Sequence, residues 1–147
     1  DGGLLMGMDL TPIAVKDPSN DELCHFHSNW SGWSLLAGLL VEVGADMTHF
    51  SGSNDGDEVP QEHAEQWGAL VEEKLDMLYY VSWPGTSTGS YPVSQSSALL
   101  VGDGYKLLTW SSQEDVIIHR LSDLPGVNEF VRHFAAFCKN SNGFSQY

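Results

Sequence analysis

The sequence predicts an α+β fold of about three helices packed on a small, mostly antiparallel sheet. Three observations carry this prediction. Leu35, Leu36, Leu39, Leu40 and Val43 recur at helical spacing, and Ala64, Trp67, Val71, Leu75, Leu78 and Tyr79 make a second apolar stripe between carboxylates. Short β-rich runs at 98–101, 105–110 and 115–121 are separated by glycine-containing or polar turns.

Residues 1–5 precede Met6 and read as upstream residues, leaving 6–147 as a single domain. A short strand is expected at Leu10–Val15, then a turn marked by Asp17, Pro18 and Asn20. Leu23 to His27 alternates, which predicts a strand with Cys24 and Phe26 on one face and His25 and His27 on the other. Ser31 is placed to cap a helix over about 31–43 that ends at Gly44. Gly38 inside it suggests a close neighbour, since glycine there costs the helix roughly 1 kcal/mol against alanine.

An extended piece at Asp46–Phe50 leads to Ser51–Asp57, where Asn54, Asp55 and Gly56 form a turn with Gly56 at positive φ. Pro60 is suited to the first turn of a second helix, expected over about 60–80. Residues 84–97 read as a long loop, 98–110 as a hairpin and 115–121 as a further strand. A third helix is expected from Ser122-Asp123, with Pro125 early and Val127, Phe130, Val131, Phe134 and Phe137 inward, stopping before Asn140–Gly143.

The net charge of −14 is unevenly spread. Residues 1–80 hold fifteen Asp/Glu against Lys16 and Lys74, a balance of −13, whereas 81–147 balance to −1. Such an acidic half repels phosphate, so direct nucleic-acid binding is not expected. No run of about 18 apolar residues points to a membrane span. Cys24 and Cys138 make neither a disulfide framework nor a four-ligand zinc site, and a reduced, cytoplasmic setting is the expectation.

Phe26-His27-Ser28-Asn29-Trp30-Ser31-Gly32-Trp33, Ser51-Gly52-Ser53-Asn54-Asp55-Gly56-Asp57, and Asn128-Glu129-Phe130-Val131 with Asn142-Gly143-Phe144-Ser145 together resemble a loose group of small bacterial and phage-associated proteins. That group has an aromatic, an Asn and a Trp before its first helix and an Asn-Asp-Gly turn before its second. This chain has His27 and Ser34 where the group carries basic residues. The resemblance implies a fold and no assigned activity.

Two readings of function follow. In the first, the chain is a non-catalytic protein-binding module, with an inhibitor or immunity-type role toward a basic partner. Asp55, Asp57 and Glu58 of the turn, continued by Glu65, Glu72 and Glu73 of the second helix, would form its acidic face. No cofactor is called for. In the alternative, His25 and His27 lie on one strand face and His49, Asp55, Asp57 or His63 complete a metal shell for binding or metal-assisted hydrolysis. A calcium loop fits less well. Ser51, Ser53, Asp55, Gly56 and Glu62 fall on ligand positions, yet two of them are serines and Pro60 starts a helix inside the loop. Cys138 follows Phe134 and Phe137 and reads as a small buried residue, and the tryptophans as core before groove.

Overall fold

Asn29, not Ser31, opens the first helix in the computed structural model, which describes residues 7–83, 87–88, 91–92, 96–102 and 117–147. The Asn29 side chain accepts a hydrogen bond from the Gly32 backbone N–H at 2.7 Å, while its own backbone is still extended. A cap two residues earlier brings Trp30 into the helix, so α1 spans Trp30–Glu42. It buries Trp33, Leu36, Leu39 and Leu40.

Before it, β1 (Gly7–Pro12) starts three residues earlier than the expected strand at Leu10. Asp21–Leu23 form a 3₁₀ turn and β2 is Phe26–Asn29, so Leu23, Cys24 and His25 lie outside the strand. Asp46–Phe50 pairs with no strand. It is irregular because Asp46 accepts from both the backbone N–H and the hydroxyl of Thr48.

The Asn-Asp-Gly turn does not enter a helix directly. It feeds β3 (Asp57–Pro60), and α2 runs Gln61–Lys74 with Pro60 as its cap residue. The second helix therefore ends at Lys74 instead of near Tyr80. After a 3₁₀ turn at Leu75–Met77 the chain goes extended into β4 (Leu78–Trp83), which pairs with a strand on each side. Leu75 and Leu78 satisfy a helical stripe, but Leu78-Tyr79-Tyr80-Val81 is equally a buried strand, and two partner strands decide the competition.

Two short strands, β5 (Ser87–Thr88) and β6 (Tyr91–Pro92), pair within the expected long loop. β7 (Ser96–Val101) and β8 (Ile117–Arg120) follow. The second arm of the expected hairpin, 105–110, lies outside the described residues. Leu121–Asp123 make a 3₁₀ turn before α3 (Pro125–Asn140), which starts with its proline at the first turn. β9 (Gly143–Gln146) closes the chain.

Two antiparallel sheets result. One has the order β2-β1-β9-β3 and the other β7-β4-β8. The register sets Leu10 opposite Phe26 on one side and Gln146 on the other, and Val59 opposite Phe144. These strands and the three helices enclose one core, in which Met8, Leu10, Phe26, Val59, Ala64, Trp67, Val71, Val131, Phe134, Phe137 and Phe144 are all buried. Aromatic rings link its parts. Trp33 stacks on Phe50 with centroids 4.8 Å apart, Phe50 meets Trp67, Trp67 meets Phe144, and Phe144 meets Phe137. Both indoles also satisfy their N–H groups, Trp33 on the Ser51 carbonyl and Trp67 on the Asp46 carbonyl, so these two tryptophans belong to the core.

α2 crosses α3 at Gly68, where a Cβ would stand 2.7 Å from the Ala135 carbonyl oxygen. The close approach expected at Gly38 is not seen: among the described residues, its own helix's backbone aside, no atom lies within 4 Å of a Cβ built there. Gly38 faces solvent instead.

Candidate functional site

The expected acidic face divides into two kinds of residue. Glu65 and Glu72 lie beside the packing seams of α2: Glu65 pairs with Lys16 and accepts from Gln61, and Glu72 pairs with Lys139 of α3 at 2.7 Å. The lysine, and then Gln61, hold the Glu65 carboxyl below the ordinary glutamate range. These two carboxylates tie elements together.

Asp55, Asp57, Glu58 and Glu73 are exposed and form no ion pair among the described residues. Asp55 accepts only from the Ser53 hydroxyl, at 2.9 Å. Asp57 and Glu58 stand on β3, one of the two outer strands of the four-stranded sheet, and β3 runs straight into α2, where Glu62 adds a further exposed carboxylate. Charge on an outer strand also keeps its free edge from pairing with other chains.

The loop that presents these acids is held from below by Gln146. Its buried side chain accepts from the Ser51 N–H and donates to the carbonyls of His49 and Asp57, and its own carbonyl accepts from the Gly56 N–H at 2.7 Å. Gly56 has φ +95, as the turn requires, and a Cβ there would meet the Tyr147 ring at 2.8 Å. Ser51, Ser53 and Asp55 spend their oxygens on one another, an Asx/Ser-type turn rather than a calcium loop.

The four histidines of the metal alternative do not converge. His25 and His27 share Asp9, at 3.5 and 2.8 Å, on the solvent side of β1 and β2. His49 and His63 meet edge to face elsewhere, with centroids 4.7 Å apart and His63 Nε2 at 3.3 Å from Asp46. Thr48 donates two hydrogen bonds to Asp46 and, with the nearby His63 contributing less, lowers its carboxyl below the ordinary range. Asp9 brings His25 and His27 together, but nothing brings His49 or His63 to them, and among the described residues no group of three or more His, Cys, Asp or Glu is arranged to hold a metal ion. Cys24 and Cys138 are both free. Burial pushes the Cys138 thiol well above its usual range.

A groove of about 500 Å³ lies beside His27, between the start of α1, Tyr80 of β4 and the start of α3. Asn29, Ser31 and Tyr80 supply its polar groups and Leu35, Val127 and Phe130 its apolar wall. Asp9 holds Nδ1 of His27, and no hydroxyl of the described residues hydrogen-bonds its other nitrogen. The Asn29 patch was visible in the sequence; its union with Tyr80 and Phe130 was not, because those residues arrive from elements 50 and 100 positions away.

No helix of the described residues is long and apolar enough to cross a membrane. Compared with protein-family models, curated proteins and solved structures, the chain gives no match.

Proposed function

We propose that this chain is a non-catalytic protein-binding module that engages a basic protein partner through the loop and outer strand carrying Asp55, Asp57 and Glu58, in an inhibitor or immunity-type role. One observation carries the reading. In a chain of net charge −14, these three carboxylates are exposed and lack cationic neighbours among the described residues, while the backbone beneath them is fixed by Gln146. A rigid, unneutralised acidic surface steers a basic partner at long range and loses little conformational freedom on binding. Glu73 and Glu62 extend the surface along α2, whereas Glu65 and Glu72 already serve Lys16 and Lys139.

The test is charge reversal at positions that form no ion pair among the described residues. Asp55→Lys, Asp57→Lys and Glu58→Lys together should abolish capture of a basic protein from the native host, and capture by the wild type should weaken as salt rises past the ~8 Å Debye length of physiological buffer. Circular dichroism checks that the variant folds. Recovery of the same proteins by wild type and folded variant, or capture insensitive to salt, would refute the reading.

A further inference from the structure

Two arginines that take part in no ion pair among the described residues line a small recess of the molecule. The chain has six Lys and Arg in all. Lys16 and Lys139 are committed to Glu65 and Glu72. Arg120 of β8 and Arg132 of α3 form no ion pair among the described residues, yet both wall one recess of about 230 Å³. Ser122, Asn128, Asp76, Leu75 and Leu78 complete its lining. Three separate stretches of chain, 75–78, 120–122 and 128–132, thus bring two guanidinium groups, a hydroxyl, an amide and one carboxylate to the same small space.

We infer that this recess binds a small ammonium carboxylate, the chemical class of a free amino acid. Guanidinium forks match the two oxygens of a carboxylate, and Arg120 is partly preset by lying over the Tyr79 ring, 5.5 Å from its centroid. Asp76 decides between anions. Two arginines and one aspartate give a carboxylate and an ammonium on one ligand separate partners, and Asp76 adds repulsion toward an anion that brings no cation of its own. The Asp76 carboxylate then accepts from the ligand ammonium, and Ser122 and Asn128 offer further donors and acceptors. Size agrees. At about 30 Å³ per water the recess holds roughly eight waters, room for a ligand of about ten non-hydrogen atoms and below the ~300 Å³ floor of drug-sized sites.

This inference is independent of the acidic-loop reading, since it uses none of the same residues. It is tested by titrating the full ¹⁵N-labelled chain with glycine, serine, leucine and aspartate, and in parallel with acetate, methylamine and inorganic phosphate. At least one amino acid should give saturable shifts centred on Asp76, Arg120, Ser122, Asn128 and Arg132, and should bind more tightly than acetate, methylamine or phosphate. Arg132→Gln and Arg120→Gln, exposed changes whose folding the same spectra verify, should each weaken that binding about tenfold or more. Asp76→Asn should erase the preference for the amino acid over acetate. Absence of saturable shifts with every amino acid up to tens of millimolar, tighter binding of phosphate, or unchanged affinity in the folded arginine variants would overturn the assignment.

Discussion

Gln146 shows how much one side chain can organise. It is fully buried on the central strand β9, and its amide bonds three backbone groups of the 49–57 loop. A buried amide with its bonds made is favourable only in this one arrangement, so it selects a single loop conformation. Gly56 answers the same demand from the loop side. Its φ of +95 and the Tyr147 ring against its Cα exclude a branched side chain, so Gly56→Val should lower unfolding free energy by about 1–3 kcal/mol, as read by denaturant titration. An unchanged midpoint would contradict this. The two cysteines offer a second prediction at this scale. Cys138 is buried in α3 with its thiol held protonated, and Cys24 is partly exposed with Sγ on the Asn20 carbonyl. A thiol reagent at pH 8 should therefore label Cys24 in the native protein and Cys138 only after denaturation; two equally fast labels would show that α3 opens readily.

Among elements, the crossing of α2 and α3 is governed by one missing side chain. At Gly68 a methyl group would press on the Ala135 carbonyl, which is backbone and cannot swing aside, and on the Lys139 stem. Gly38 on α1 is exposed with free space around it. The same chemical change should then have opposite signs. Gly68→Ala should destabilise by about 1–3 kcal/mol through overpacking, and Gly38→Ala should stabilise by about 0.5–1 kcal/mol through helix propensity and unfolded-state entropy. Thermal or chemical unfolding of the pair checks it, and equal shifts in one direction would show that helix propensity alone governs both positions. β3 is the other decisive element: as an outer strand it carries charge that blunts its free edge, and the proposed binding of a basic partner would use the same charge.

For the whole molecule, acidity acts in two opposing ways as pH changes. Glu65 and Asp46 have carboxyls depressed by Lys16 and by Thr48 respectively. A depressed folded-state pKa means that the unfolded chain binds the proton first. The stability these groups contribute is present above the ordinary carboxylate range and is lost as pH falls through their folded-state values. Lowering pH also discharges the self-repulsion of a −14 chain, which favours the compact state. Comparing wild type with Lys16→Met separates the two, since the net charge differs by one only. The Glu65 carboxyl should move up toward the ordinary glutamate value in an NMR titration of the variant. The loss of stability on acidification should also be shallower than in wild type. An unmoved Glu65 would mean that Gln61, not Lys16, sets its titration.

Periodicity along the chain was enough to determine the α+β class, the cores of the three helices and the alternation of buried Phe26 with exposed His27 in β2. Each of these rests on neighbours within a few residues, whose faces are set by 3.6 and 2.0 periods. Charge counting located the acidic half, and local turn chemistry gave Gly56 its positive φ. Tertiary structure alone decided where helix two stops, because Leu78–Val81 fits either period until β7 and β8 bond to both of its edges. It alone created β3 and β9, four-residue strands with two residues per face, too short to show a pattern. It also chose Asn29 over Ser31 as the cap, a choice between capping residues two positions apart that depends on how β2 turns into α1. The same limit governs the sites. Spacing cannot tell that Glu65 and Glu72 meet Lys16 and Lys139, that His49 and His63 stay apart from His25 and His27, or that Arg120 and Arg132 converge, because each of these is a matter of distance in space between residues far apart in the chain.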